Sequence, residues 1–275
     1  MSEFIKSSKV GKMPRGRNLD EQLTTQDHTE MKSVIGSLQW MCGVCRPDLA
    51  AGTSLCQKSK PVLRDLKDAY ELLQQAHDTH DNGIVFRSVP LSEVIVVGYG
   101  DSSWANADEL KSQTGLVVTV TSKHAVDGSA DGVIVDWRST RTKRVVRSTL
   151  AAEAIAADNC SDHSFFTAAC ISEIVQGVQA IKALGTSMQI PVYVCTDCRS
   201  LYDAFQKVSP SIEEKRTLLD ILSIRQTLAE NGLRWVPTTE QLADGLTKHK
   251  KQLASTLQSS MRHCVIRLKD VPAKE

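Results

Sequence analysis

From Met31 onward apolar residues recur at intervals of three and four. Val34, Ile35, Leu38, Met41, Cys42 and Cys45 form one stripe, which predicts a helix that ends, or gives way to the next, at Pro47. Leu49, Thr53 and Cys56 continue a buried face. A second helix is predicted from about Pro61, with Leu63, Leu66, Tyr70 and Leu73 on one side, Ser59 as its N-cap and Asp81-Asn82-Gly83 as its stop. Near residue 90 the period changes. The β-branched runs Glu93 to Tyr99, Gly115 to Thr121 and Gly132 to Trp137, with a short Val145-Val146, predict an antiparallel meander. A long helical region follows from Ala151 to about Leu184, with a break near 161–163. Then come a strand over Pro191 to Thr196, a helix from Arg199 to Val208, a longer helix from about Glu213 to Glu230, a strand over Leu233 to Pro237 and a last short helix from Glu240. This order predicts an α/β fold, a mixed sheet with helices packed on it.

The pattern divides the chain into a flexible arm over 1–30, a small helical segment over 31–90, the sheet domain over 91–252 and a polar tail over 253–275. Residues 1–20 hold five basic and two acidic side chains and show no period. The tail, with Arg262, Arg267 and Lys269, offers at most weak phosphate contact.

Charge narrows the function classes. Lys plus Arg number 33 against 32 for Asp plus Glu, a net charge of +1, which excludes a histone-like or tail-driven nucleic-acid binder but leaves room for a local basic patch. Apolar runs such as Val94-Ile95-Val96-Val97 are far shorter than the roughly 18 residues of a membrane span, and the N-terminus carries no apolar signal core. The expectation is a protein of the cytoplasm or nucleus, neither secreted nor in the membrane. Two of the eight cysteines' spacings, Cys42/Cys45 and Cys195/Cys198, are CxxC pairs. Both lie inside apolar periodic segments rather than tight turns, so the cysteines are read as reduced core thiols rather than as a zinc site.

Position selects a few of the carboxylates. Asp101 ends the strand Val-Ile-Val-Val-Gly-Tyr-Gly, and Asp197 ends Val192-Tyr193-Val194-Cys195-Thr196. A carboxylate at the end of a buried strand is costly to desolvate without a cation; each alone also fits a cap on the following turn. Glu153 follows the capping residues Ser148 and Thr149 and shares a helix face with Ala156, Ala157 and Cys160. Those small side chains would let the helix approach the sheet and aim Glu153 at the strand ends. A solvent-facing glutamate is the commoner fate of this residue type. Asp244 lies just after Thr238 and Gln241, which fit a capping box, so it falls in the first turns of a helix, where a carboxylate is favourable anyway. Converging, Asp101, Glu153, Asp197 and Asp244 suit Mg²⁺ or Mn²⁺, and two such ions about 4 Å apart can assist phosphodiester cleavage.

A second constellation is basic. Arg138, Arg141, Lys143, Arg144 and Arg147 fall within ten residues around an expected hairpin turn, with hydroxyls interleaved. Such a patch positions a phosphate backbone without reading sequence, although a solvated hairpin has the same composition. Trp104, just past Asp101, is read as core packing in preference to base stacking.

Several segments, taken in series, resemble the ribonuclease H domain of copia-type retrotransposon polyproteins. They are Gly98-Tyr99-Gly100-Asp101-Ser102-Ser103-Trp104-Ala105, Lys111-Ser112-Gln113-Thr114-Gly115, Asp136-Trp137-Arg138-Ser139, Ser148-Thr149 with Ala152-Glu153-Ala154, and Cys195-Thr196-Asp197. The series closes with Val236-Pro237-Thr238 and Gln241-Leu242-Ala243-Asp244-Gly245-Leu246-Thr247-Lys248. Upstream, Gly36-Ser37-Leu38 and Arg46-Pro47-Asp48-Leu49-Ala50 resemble the connection between polymerase and ribonuclease H in the same polyproteins, so the resemblance spans about 30 to 250. It implies a ribonuclease H-like mixed five-stranded sheet. It also implies an endonuclease that uses two Mg²⁺ or Mn²⁺ ions to cut the RNA strand of an RNA–DNA hybrid, with Asp101, Glu153, Asp197 and Asp244 as metal-binding catalytic residues. The basic stretch would then face the hybrid backbone, whose 2′-hydroxyls mark the RNA strand. A reverse transcriptase polymerase domain in a longer polyprotein is the implied partner.

The series departs from the family pattern at three places. One extra residue stands between Ser148-Thr149 and Glu153, Cys198 follows the third acid where a polar residue is usual, and the stretch from Ser209 to Trp235 has no histidine. The alternative from another class is a catalytically inactive retroelement remnant that binds nucleic acid or protein. A transposase- or integrase-type nuclease is disfavoured, because its last acid is usually a glutamate after the second aspartate, whereas Glu153 precedes Asp197.

Overall fold

The computed structural model describes residues 1–13, 16–177, 190–228, 231–248 and 251–268. The expected helix ends at Leu184 and Glu230, and Lys269, lie outside them. The β-branched run at 94 forms β1 (Val94–Ser103), which is buried along nearly its whole length and is the centre of the sheet. It pairs antiparallel with β2 (Gln113–Ser122), which pairs antiparallel with β3 (Ala130–Arg141) beyond the one-turn helix α5 (His124–Asp127). On its other side β1 pairs parallel with β4 (Val192–Thr196), and β4 with β5 (Leu233–Trp235). The mixed sheet expected from the sequence is therefore present, with one strand more. Val265–Ile266, β6, joins the start of β3 and makes the order β5-β4-β1-β2-β3-β6.

Side-chain alternation on β1 assigns its two faces. Val94 and Val96 pack with Leu116, Val118 and Val194 against the long helix α6 (Thr149–Gln176), and against α7 (Arg199–Gln206) and α8 (Lys215–Thr227) through Ala154, Ala157, Cys160, Leu201, Ile221 and Ile224. Ile95, Val97 and Tyr99 face the other way, into one cluster with Val117, Ile134, Leu38, Met41, Leu66 and Leu73. Those last residues belong to α2 (Thr25–Val44) and α4 (Leu63–Asp78), with α3 (Ala50–Leu55) between them. The N-terminal helices are thus the second cover of the sheet.

Several expectations are corrected. The 1–30 segment is packed: α1 (Ser2–Ser7) buries Ile5 completely, Leu23 joins the core, and α2 already starts at Thr25. Arg17 donates two 3.0 Å bonds to Asp27, whose carboxylate also completes a capping box with Thr24, so local polar pairing supplies the order that apolar periodicity did not signal. Ser59 does not cap the second helix; it donates through its backbone N–H and its hydroxyl to Asp108, and the Asp65 carboxylate accepts from the Val62 N–H instead. Val145-Val146 is not a strand. The basic stretch is not a hairpin turn but the end of β3 and the loop leading to α6. No break interrupts α6 at 161–163. The last short helix is replaced by two 3₁₀ turns, Thr238–Glu240 and Leu242–Leu246. The 253–275 tail is not a solvated tail over its described part: helix α9 (Lys251–Arg262) and β6 bury Leu257, Met261, Cys264, Ile266 and Leu268. No helix of the described residues is long and apolar enough to cross a membrane.

Candidate active site

Small residues bring the acids together. A Cβ at Gly98 would stand 2.2 Å from Ser164 Oγ and 2.6 Å from Cys160 Sγ, and one at Gly100 would stand 3.0 Å from the Ala156 carbonyl oxygen. Helix α6 therefore rests directly on β1, with Ala156, Ala157 and Cys160 fully buried in the contact. Its start is fixed by Ser148, whose hydroxyl accepts from the Ala151 N–H. One turn in, Glu153 is carried to the end of β1, where Asp101 is, and of its parallel neighbour β4, which leads into Asp197. Asp101, Glu153 and Asp197 each offer a carboxylate oxygen within 4.8 Å of the others.

These groups carry the electrostatic marks of a cation site. Burial pushes Asp101 up to about 6 against the opposing effects of the Thr247 hydrogen bond and Lys248, and the neighbouring Asp244 and Asp197 add to the rise. Burial, then the charges of Asp101 and Asp197, push Glu153 up to about 9. Glu153 Oε2 is buried without a hydrogen-bond partner. An orphaned carboxylate oxygen facing two further carboxylates is the donor set a hard divalent ion takes, and its binding would offset the burial and repulsion that raise Asp101 and Glu153. The residues present therefore fit Mg²⁺ or Mn²⁺.

Asp244 is held differently. Its carboxylate takes an ion pair from Lys248, with Nζ 2.5 Å from Oδ1, and it is not among the three acids brought within 4.8 Å. The segment that carries it is fastened to the sheet by side-chain hydrogen bonds that the sequence pattern did not announce. Gln241 donates to the Gly100 carbonyl (3.0 Å), Ser139 donates to the Leu246 carbonyl (2.5 Å), and buried Thr247 donates to Asp101 Oδ2 (2.5 Å). Asn106, in the loop after β1, donates to the Thr247 carbonyl (3.0 Å). A Cβ on Gly115 would meet Leu246 Cβ at 2.7 Å, so this glycine admits the segment. Thr238 donates to Asp197 Oδ2 (2.7 Å) rather than capping a helix. The sequence signal for the Asp244–Lys248 pair was its i,i+4 spacing.

The basic stretch lines a cavity of about 650 Å³ between the ends of β2 and β3 and one flank of α6. Arg138, Arg141, Lys143 and Arg144 face it, with Thr140, Asn159 and His163, and Ala156, which touches Gly100, borders the same space. Arg147 is exposed and is not part of this lining. Two of the cations are paired in place: Arg144 donates to Asp220 at 2.9 Å, and Arg141 lies 3.7 Å from Asp108. His163 Nδ1 is 2.6 Å from Asp136 Oδ2, a pair the sequence did not suggest. Trp104 is not core packing. It is 47% exposed and donates through Nε1 to the Val146 carbonyl, tying the β1–β2 loop to the basic loop.

Comparison with known proteins finds similarity to transposon polyproteins. It is 29% identical over 233 residues to the retrovirus-related Pol polyprotein from transposon RE2 of Arabidopsis thaliana, a match that covers 83% of this chain and 14% of the polyprotein. The corresponding polyprotein from transposon RE1 of the same plant is 26% identical over 227 residues, 81% of this chain and 14% of its own length. The chain thus spans about one seventh of these relatives. No protein-family profile matches it. Among solved structures, RNase H1 from the halophilic archaeon Halobacterium salinarum aligns with 56% of this chain and 92% of its own, at 16% identity and a TM-score of 0.33, too low to assign the fold by comparison.

Proposed function

We propose that this chain, a relative of retrovirus-related Pol polyproteins from transposons, is a retrotransposon-type ribonuclease H that cuts the RNA strand of RNA–DNA hybrids. The observation that carries this reading is the Asp101–Glu153–Asp197 cluster at the ends of β1 and β4, with Glu153 Oε2 buried and unpartnered. Asp101, Glu153 and Asp197 would hold Mg²⁺ or Mn²⁺, with Asp244 as the further ligand for a second ion. Bound metal supplies activation of water and charge stabilisation at the leaving oxygen of the phosphodiester.

The chain's own residues do the rest. Thr247 holds the Asp101 carboxylate in one orientation, and the α6–β1 contact fixes the height of Glu153 above the strand ends. Arg138, Arg141, Lys143 and Arg144 line a cavity also bordered by Gly115, the β2 partner of Asp101, and suit a phosphate backbone, while Arg147 extends the charge outward. Within a longer polyprotein, a polymerase domain would deliver the hybrid, and an intracellular setting follows from that substrate.

The test is cleavage of a labelled RNA–DNA hybrid by the purified chain with Mg²⁺, with Mn²⁺ and with chelator. RNA in the hybrid should be cut only when metal is present. Asp101→Asn and Asp197→Asn should each lower the rate by at least about 100-fold without changing circular dichroism. Undiminished cleavage by either variant overturns the site. A folded chain that binds hybrid and never cuts it supports instead the reading of an inactive, nucleic-acid-binding remnant.

A further inference from the structure

We infer that Lys248 is a built-in counter-ion that competes with a divalent cation for Asp244, so that the second ion binds only when the lysine gives way. The inference rests on the active-site reading above and assigns a role within it. Its Nζ lies 2.5 Å from Asp244 Oδ1, in a partly buried position beside a carboxylate that is itself buried. Among the described residues, Asp101, Glu153 and Asp197 have no ion pair, whereas Asp244 is paired with Lys248. Its field acts on Asp101 and Glu153 as well as on Asp244.

The placement is enforced by the chain. Thr247, immediately before Lys248, is held from two sides: its hydroxyl donates to Asp101, and its carbonyl accepts from Asn106. The backbone is therefore fixed and only the flexible four-carbon stem can move. A single positive charge pairs with one carboxylate, whereas the three acids of the cluster face one another with no ion pair among the described residues and offer the stronger attraction to a doubly charged ion. The first ion takes those three. The second needs Asp244, and must displace an ammonium already bound to it.

Titration calorimetry of the full chain with Mn²⁺ tests this, using wild type, Lys248→Met, Lys248→Gln, Lys248→Arg and Asp101→Asn. Wild type should show two unequal binding steps. Neutral Met or Gln should tighten the weaker step by about tenfold or more, while Arg should leave it weak. In chelator the neutral variants should melt at a lower temperature than wild type, and Mn²⁺ should restore them. A lysine with only a packing role predicts the same loss of melting temperature with or without Mn²⁺, and no tightening. If Asp101→Asn abolishes Mn²⁺ binding while both neutral variants bind like wild type, the Lys248 inference fails and the site stands. If Asp101→Asn leaves binding untouched, the site itself fails and the inference with it.

Discussion

Glu153 is a carboxyl group that the fold holds against its own ionisation. Burial and the charges of Asp101 and Asp197 raise it from an ordinary 4.5 to about 9. Between those values the folded chain keeps a proton that the unfolded chain has released, so stability falls as pH rises from about 4.5 to about 9 and changes no further above that. Replacing Glu153 with Gln removes this penalty. In chelator, Glu153→Gln should melt like wild type near pH 4 and several degrees higher at pH 7, where the stabilisation is on the order of 2–3 kcal/mol. Saturating Mg²⁺ should reverse the order, because the wild-type carboxylate then has a cation to face and the amide does not. Thermal melts at pH 4, 7 and 9, with and without Mg²⁺, read out both effects. A variant no more stable than wild type at pH 7 in chelator would mean that Glu153 is not held near the other acids.

The height of Glu153 is decided by two glycines on one strand and three small residues on one helix. A methyl group on Gly100 would press on the backbone of Ala156 and Ala157, at 3.0 and 3.2 Å, so α6 itself has to move; on Gly98 it would meet the side-chain ends of Ser164 and Cys160, which can rotate. Gly100→Ala should therefore cost roughly 1–3 kcal/mol and weaken Mn²⁺ binding by shifting Glu153. Gly98→Ala should spare metal binding at a comparable or smaller cost in stability. Equal metal affinity in the two variants, by calorimetry, would refute the contact as the positioning element. This contact was readable in advance: the Gly-x-Gly before Asp101 and the Ala-Ala-x-x-Cys face after Glu153 are local patterns that name each other as partners. The surroundings of Asp244 were not. Thr238 and Gln241 have the spacing of a capping box, yet Thr238 is used on Asp197, and Gln241 both accepts from the Ala243 N–H at the start of its own 3₁₀ turn and donates across to the Gly100 carbonyl. Spacing alone cannot tell a side chain that caps its own helix from one that reaches across the fold.

At the scale of the molecule, both faces of the sheet need a cover, and the chain provides the second from its two ends. The α2–α4 helices and the C-terminal α9–β6 unit share one hydrophobic cluster with Ile95, Val97 and Tyr99, although the sequence pattern suggested a separate helical segment and a polar tail. Short apolar stretches such as Cys264 to Leu268 are too brief to announce a strand, and only the vacant edge of β3 makes one of them. The two ends are joined through Asp48, the partner of Arg46. The Arg46 side chain is fully buried and donates twice to Asp48 at 2.8 Å. It also donates to the Thr79 carbonyl at 3.0 Å and the Thr79 hydroxyl at 2.7 Å, while Gln258 of α9 donates to the same Asp48. Removing one partner of a buried pair leaves the other charge uncompensated, at a cost of about 3–5 kcal/mol. Arg46→Met should therefore lower the melting temperature by roughly 10 °C. If the helices are integral to the sheet, that loss falls on a single cooperative transition monitored both by far-ultraviolet circular dichroism and by tryptophan fluorescence, since Trp137 on β3 donates to the Cys42 carbonyl of α2 and reports the contact directly. If residues 1–90 are instead an independent unit, the melt divides in two, and only the first part moves. In that case hybrid cleavage persists above the first transition, and a catalytic piece beginning near residue 91 folds alone. The shared core argues for the single transition, because excising the helices would turn Ile95, Val97, Tyr99 and Val117 out to water, at about 1.5–3 kcal/mol for each large apolar side chain.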